Sequence, residues 1–387
     1  MAGFLRIVVI SRIPPFRCGV AEYTSMLGEA LRSLGVHVIF HGSTEQKGAV
    51  GVEFIEAYSG IRARVCFEDP PIYFLEKCLA SDAPVDVVHV QYEPKMYKAW
   101  KSLIHYLKHA KSMGIRVAVT MHNVARLDWE HPIVPDALEA QRQLTRISDA
   151  IIVHSPLQEY ELLFQGVPEG KVHRIPHGTL INPYAGVPKS QLVQELRLDD
   201  RFLSHTIILV PGFVRADKNW SVLLRAYREL RKKYDVLLSI VGGPQGESDY
   251  DVAEGLLREA QDFYFDMGFQ PRDKLLKWMA LADVVMLPYI STERGYAVSG
   301  MLHLAMGSRK PVVCTRSDRL FECNFLTPEL TLHTLTAESI ASKLADILEG
   351  RLDVKASTEK LWRYALETRW SRVGELHVEL YKVLAGS

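Results

Sequence analysis

The chain is short of most features that mark a special-purpose sequence. Its five cysteines, Cys18, Cys66, Cys78, Cys314 and Cys323, are odd in number and widely spread, and none falls in a Cys-x-x-Cys pair. Neither a disulfide framework nor a zinc site is indicated. No apolar run approaches the length of a membrane span, and the opening MAGFLRIVVIS passes straight into strand-like sequence rather than a signal peptide. Net charge is missing too: 46 basic side chains balance 46 acidic ones, without the bulk basicity that would suggest a nucleic-acid partner. Asparagine occurs only at 123, 182, 219 and 324, a depletion compatible with a heat-loving source. No Asp-x-Asp pair stands at a strand end where it could hold a divalent ion, and Asp199-Asp200 lies between the two halves. What remains is an ordinary globular composition, 48% hydrophobic and 24% charged, in 387 residues, enough for two domains of a cytoplasmic protein.

What is present alternates. Arg6–Ser11 is strand-like, Ala21–Leu34 helical and Val36–Phe40 strand-like again, a βαβ unit. Residues 42–82 follow no clear period. Asp86–Gln91, Val117–His122, Ala150–His154 and Val172–Ile175 read as further strands, with a helix near Lys98–Met113. A Pro- and Gly-rich stretch around Pro176–Pro188 reads as a linker. The alternation then restarts with strands at Thr206–Val210, Val236–Val241, Phe263–Phe265, Asp283–Leu287 and Pro311–Cys314. The expected fold class is α/β: two doubly wound parallel sheets facing across a cleft, followed by a helix over Trp370–Leu384.

One loop organises the second half. VPGFVRADKNW, Val210–Trp220, joins an apolar strand to an amphipathic helix with Trp220, Leu223, Leu224, Tyr227 and Leu230 on one face and Asn219 as its expected N-cap. Gly212, Arg215 and Lys218 therefore sit at a strand end, where ligands of open parallel sheets bind. Two cations three residues apart can converge on one diphosphate, a forked donor beside a mobile point charge. Taken alone, the same pair could equally be solvated surface.

The loop resembles the G-x-x-R-x-x-K-G segment of glycosyltransferase family 4, which has the GT-B fold. Ile10–Tyr23 (ISRIPPFRCGVAEY) is similar to that family's P-P-x-x-G-G-V-A-x-Y segment. VDVVHVQYE, VTMHN, SDAIIVHS, KVHRIPHGT, LLSIVGG and ADVVMLPY match further family segments in order, over nearly the whole chain. The resemblance implies an acceptor-binding Rossmann-like domain over 1–185, a nucleotide-sugar-binding one over 186–365, and a helix over 366–387 that packs back on the first. It implies that Arg215 and Lys218 neutralise the leaving diphosphate, a role worth on the order of 2.7–4 kcal/mol per transition-state partner. His122 matches the histidine beside the reacting sugar; without the resemblance a strand-end histidine is more often structural. Gly19 would let the first-domain loop approach donor or acceptor, or is an ordinary turn glycine. Phe269 and Gln270 lie in the segment whose backbone reads the base.

At the family's E-x7-E signature this sequence departs: ERGYAVSGMLHLAMGSRKPVV places Tyr296 and Leu304 at the glutamates and Arg309 at the last glycine. Glu293 and His303 are the nearest candidates to replace them. Val298, Ser299 and Gly300 precede an apolar helix whose first amides could hold an anion. The activity implied is a retaining, metal-independent transfer of a hexosyl group, mannosyl from GDP-mannose or glucosyl from UDP-glucose, to a sugar, glycan or lipid-linked hydroxyl. No cofactor is implied beyond the nucleotide sugar. A GT-B sugar-nucleotide epimerase and a silent nucleotide-sugar-binding homologue are the alternatives. Lys98, Lys101, Lys108 and Lys111, with Tyr97, Trp100 and Ile104 among them, read either as a solvated crossover helix or as a peripheral contact with the inner membrane face.

Overall fold

The computed structural model describes residues 5–14, 16–43, 53–57, 61–65, 79–80, 82, 84–97, 100–127, 136–291 and 295–386. They fall into two compact units: residues 1–178, 293–298 and 370–387 in the first, 179–292 and 299–369 in the second.

The strands of the first unit are β1 (Arg6–Arg12), β2 (His37–Ser43), β3 (Glu53–Ala57), β4 (Ile61–Val65), β5 (Val87–Tyr92), β6 (Arg116–Met121), β7 (Asn123–Val124), β8 (Ala150–Val153) and β9 (Val172–Arg174). Eight of them form one sheet in the order β3-β4-β2-β1-β5-β6-β8-β9. Pairing is parallel except between β3 and β4, which run antiparallel. This amends the all-parallel expectation and fills part of the region that showed no period. Three residues separate β3 from β4, too few for a parallel crossover.

The second unit holds β10 (Thr206–Pro211), β11 (Val236–Val241), β12 (Tyr264–Asp266) and β13 (Val284–Leu287). After the short strand β14 (Tyr296–Ala297), which belongs to the first unit, come β15 (Val312–Thr315) and β16 (Thr331–Leu332). The order is β12-β11-β10-β13-β15-β16, all parallel. Both faces are covered, so β10 reads as an unbroken apolar run. Its Ile207 and Leu209 enter one core cluster, and Ile208 and Val210 enter the other. In the helix Trp220–Leu230, Trp220, Leu223, Leu224, Tyr227 and Leu230 are all buried, as the spacing predicts.

The final helix, Trp370–Ala385, lies in the first unit. It approaches the helix Gly19–Ser33 so closely that a methyl on Gly374 would stand 3.0 Å from Ala30 Cβ. Its Trp370 covers Gly178, where a methyl would fall 2.3 Å from the indole. Cys314 and Cys323, unconnected by any spacing rule, bring their buried sulfurs to 2.7 Å as free thiols.

The helix described as Trp100–Ser112 exposes Lys101, Lys108 and Lys111, whereas Tyr97, Trp100 and Ile104 are buried. Lys98 lies outside the described residues. The aromatics read as interleaved with the lysines thus serve the core, and Lys111 pairs with Asp149 at 2.7 Å. Among the described residues no helix is long and apolar enough to cross a membrane.

Two glycines make a paired test of the packing. Gly178→Ala forces the Trp370 indole to move and should cost about 1–3 kcal/mol, the usual penalty of overpacking. Gly255, inside the helix Tyr250–Glu259, has open space at its Cβ position. Gly255→Ala should stabilise by about 0.5–1 kcal/mol. Urea unfolding midpoints should move in opposite directions, and a Gly178→Ala midpoint equal to wild type would refute the close contact.

Candidate active site

In the second unit three parallel strands end side by side, with Pro211, Val241 and Asp266 in register. Glycines let the loops beyond them stack. Gly212 N–H donates to Val241 O at 2.9 Å, Gly242 N–H to Asp266 O at 3.0 Å, and Val214 N–H to Gly243 O at 2.9 Å. Gly212 has φ +80°, and Gly242 has φ +149° with its Cβ position 2.3 Å from Gly212 O. Only glycine fits there. The stacking brings Phe213 within 6.1 Å of Phe269, ring to ring, so Gly212, Phe269 and Gln270 follow strands that end on the same side of the sheet. Gln270 Nε2 donates to Gly268 O at 2.9 Å, while its Oε1 is buried without a hydrogen bond among the described residues.

Arg215 precedes a single 3-10 turn, Ala216–Lys218, that ends on Asn219 in the left-handed region, φ 46°. Asn219 stands at the helix boundary but makes no side-chain cap bond there, contrary to expectation. It instead fills a left-handed position, which asparagine tolerates better than most residues. The turn buries Lys218 to 2% exposure and directs its Nζ to Pro211 O at 2.8 Å and Gly212 O at 3.3 Å. The ammonium is therefore anchored, not mobile.

Asp217 is gripped by two guanidinia: Arg215 Nη2, and Arg319 Nη1 at 2.9 Å. Burial pushes the Asp217 carboxyl up, but Arg215 and Arg319 outweigh it and hold the group below its ordinary value. Lys218 is lowered to about 7, first by burial and then by Arg215, with Asp217 pulling the other way. Burial likewise lowers Arg319, whose guanidinium also lies 5.6 Å from the Tyr289 ring centre. Three cations thus meet one carboxylate. Arg319 escaped the sequence reading because it follows β15, a hundred residues from the loop it joins; its signal was a cation at another strand end.

Ser299 caps the helix Gly300–Gly307, its Oγ accepting from Leu302 N–H at 3.4 Å. Its own N–H donates to Arg319 O at 3.0 Å, so this amide is already engaged. Val298 belongs to the segment counted with the first unit, and Glu293 lies outside the described residues. His303 turns into the core of the second unit, with Nδ1 2.7 Å from Thr179 Oγ1. Arg309, where the family has glycine, is itself left-handed at φ 53°.

In the first unit His122 follows the end of β6, its N–H donating to Tyr92 O at 2.9 Å. Its Nε2 lies 2.8 Å from Gln91 Oε1, and its ring meets Tyr23 edge-on at 4.7 Å and His154 at 5.3 Å. Burial, then His154, hold it well below the ordinary imidazole value, so it is neutral at pH 7. Directly after it, β7 pairs antiparallel with β14, setting Tyr296 opposite Val124. Gln158 Nε2 ties the two, donating to Met121 O at 3.0 Å and Tyr296 O at 3.1 Å. A two-residue strand carries no period, which is why this pairing was not legible. Gly19 starts the helix Gly19–Ser33 with open space at its Cβ position, so nothing among the described residues demands a glycine there.

Residues 18–180 match Glycosyltransferase Family 4, and residues 204–349 match Glycosyl transferases group 1. A lipopolysaccharide 1,2-N-acetylglucosaminetransferase of Salmonella typhimurium is 24% identical over 222 residues, 54% of this chain; the chain spans 57% of that relative's length. Sucrose-phosphate synthase from Thermosynechococcus elongatus superposes with TM-score 0.75 at 20% identity, covering 99% of this chain and 100% of that one. Anabaena HepE in complex with UDP gives 0.74 at 14%, covering 98% and 100%. At those identities the two structures speak for the fold alone. With both halves matched in order and the GT-B architecture spanning the chain, the protein belongs to glycosyltransferase family 4.

Proposed function

We propose that the protein transfers a hexosyl group, glucosyl or mannosyl, from a nucleotide diphosphate sugar to a hydroxyl of a sugar, glycan or lipid-linked acceptor, with retention and without a metal. The observation that carries this is the positive excess of Arg215, Lys218 and Arg319 over Asp217 at the end of β10. A diphosphate is the natural counter-anion for such a cluster. Bond cleavage at the anomeric carbon leaves negative charge on that diphosphate, and fixed cations stabilise it as it forms. Guanidinia and an ammonium supply there the charge that a divalent ion supplies in other transferases. His122, neutral, is assigned to a hydroxyl of the transferred sugar, and the open face at Gly19 to the approach of substrate. UDP is the first nucleotide to test, since the HepE structure contains UDP and an E. coli trehalose-6-phosphate structure contains UDP-2-fluoro glucose.

Nucleotide binding tests the reading. UDP, GDP and ADP should be titrated against wild type, Arg215→Ala and Arg319→Ala. One nucleotide should bind, and each substitution should weaken it by roughly 1.5–3 kcal/mol, the worth of a charge-assisted bond. No binding by any of the three would end the donor-site assignment. Binding without release of UDP or GDP from its sugar, with a panel of hydroxyl acceptors, would favour the silent nucleotide-sugar-binding homologue.

Lys218 adds a pH signature. Below about pH 7 its ammonium is already charged and binding needs no proton. Above that value, binding an anion must draw a proton onto the amine, so affinity should fall with rising pH, by up to about tenfold per unit. Calorimetry in buffers of differing ionisation enthalpy should detect proton uptake near pH 8 and none near pH 6. Lys218→Gln should abolish the slope; an unchanged slope in that variant would assign it elsewhere.

A further inference from the structure

The first unit contains a buried hydrogen-bonded chain that the diphosphate loop does not use. On β5, His89 and Gln91 stand two apart and so share one face of the sheet; on the adjacent β6, Thr120 is the register partner of Gln91. All three are 0% exposed. Tyr381, from the last helix, brings its hydroxyl to 2.6 Å from His89 Nδ1. His89 Nε2 lies 2.7 Å from Thr120 Oγ1, which leaves both ring nitrogens committed. Gln91 spans the remaining step. Its Nε2 lies 3.3 Å from His89 Nε2, and its Oε1 lies 2.8 Å from His122 Nε2.

An amide oxygen can only accept. The His122 nitrogen that faces it must therefore carry the proton. A neutral imidazole has one N–H, so Nδ1 keeps a lone pair. Tyr23 and His154 pack against the ring of His122, and no carboxylate acts on it among the described residues.

We propose that Gln91 is a positioning residue that fixes His122 as its Nε2–H tautomer, so that Nδ1 is presented as a hydrogen-bond acceptor to a hydroxyl of the substrate. The substrate half of this rests on the assignment of His122 to the sugar in the proposed function; the tautomer half stands on geometry alone. An acceptor at Nδ1 selects for a hydroxyl and against an anionic or fluorinated group at the same place. A site built to bond a hydroxyl discriminates strongly against an analogue lacking it.

The test is made on the full-length protein labelled with nitrogen-15 at histidine, with the His122 signals assigned by their loss in His122→Asn. Two-bond proton–nitrogen correlations should show Nδ1 unprotonated and Nε2 protonated in wild type. Gln91→Glu, which keeps an accepting oxygen, should retain the Nε2 proton. Gln91→Leu should mix the tautomers and lower kcat by about tenfold to a hundredfold, the reach of bonds that orient a functional imidazole. UDP affinity in Gln91→Leu should stay within about twofold, because the diphosphate cluster lies in the other unit. A wild-type His122 protonated at Nδ1 overturns the inference without need of any variant, as does an unchanged His122 pattern in Gln91→Leu. If the pattern is as stated but His122→Asn transfers sugar at the wild-type rate, the tautomer assignment holds and the sugar contact falls.

Discussion

Buried positive charge is the constraint on which the second unit's loop depends. Removing an ammonium from water costs several kcal/mol unless other groups replace the water. At Lys218 the replacements are two backbone carbonyls, and they exist because Gly212 turns the chain in the left-handed region just after β10. Asp217 supplies the counter-charge but divides it between Arg215 and Arg319. The arrangement is stable enough to fold and still short of negative charge. A site of this kind is preorganised for an anion, because the protein has already borne the cost of gathering the cations.

The first unit solves the opposite problem. Its sheet carries polar side chains on a buried face, and it keeps them neutral. His89, His122 and His377 are all held below the ordinary imidazole value, burial being the first cause in each. Neutral imidazoles need hydrogen-bond partners rather than counter-ions, and Thr120, Gln91, Tyr381 and the Val373 carbonyl provide them. The last helix is what closes this face: Tyr381 reaches His89, and Trp370 packs edge-on against Tyr23 at 5.0 Å. A chain end that travels back to the first unit is thus part of the polar core, not an appendage.

How much of this the sequence made legible follows from period and distance. Strands buried on both faces announce themselves as apolar runs, so β10, β11 and β13 were readable to within a residue or so, together with the loop that bears Gly212, Arg215 and Lys218. His89, Gln91, Thr120 and His122 were visible as polar letters in apolar runs. The resemblance implied that the last helix packs back on the first domain, but not that its Tyr381 meets His89, 292 residues away in the chain. Arg319 and the Tyr296 pairing were hidden for the same reason: their partners are fixed by tertiary folding, and neither sits in a segment long enough to show a period. His303 shows the converse. Adjacency to a family signature made it a candidate, but an eight-residue helix has two sides, and this histidine is on the core side.

The departures from the family pattern also sort by physics. Asn219 and Arg309 each replace a family glycine, and each adopts a left-handed backbone, φ 46° and 53°. What both positions demand is therefore the conformation, not the absence of a side chain. Asparagine meets that demand at modest cost; arginine pays more, and at Arg309 an ion pair to Glu359 at 2.8 Å and the Trp362 ring at 5.7 Å hold the side chain in place. The signature glutamates are a different matter, because a carboxylate supplies charge and two acceptor oxygens, and neither a phenol nor an aliphatic side chain replaces them. At those positions this chain carries Tyr296, paired with Val124 in a two-residue ladder, and Leu304, a member of the second unit's core cluster, so packing rather than charge occupies both.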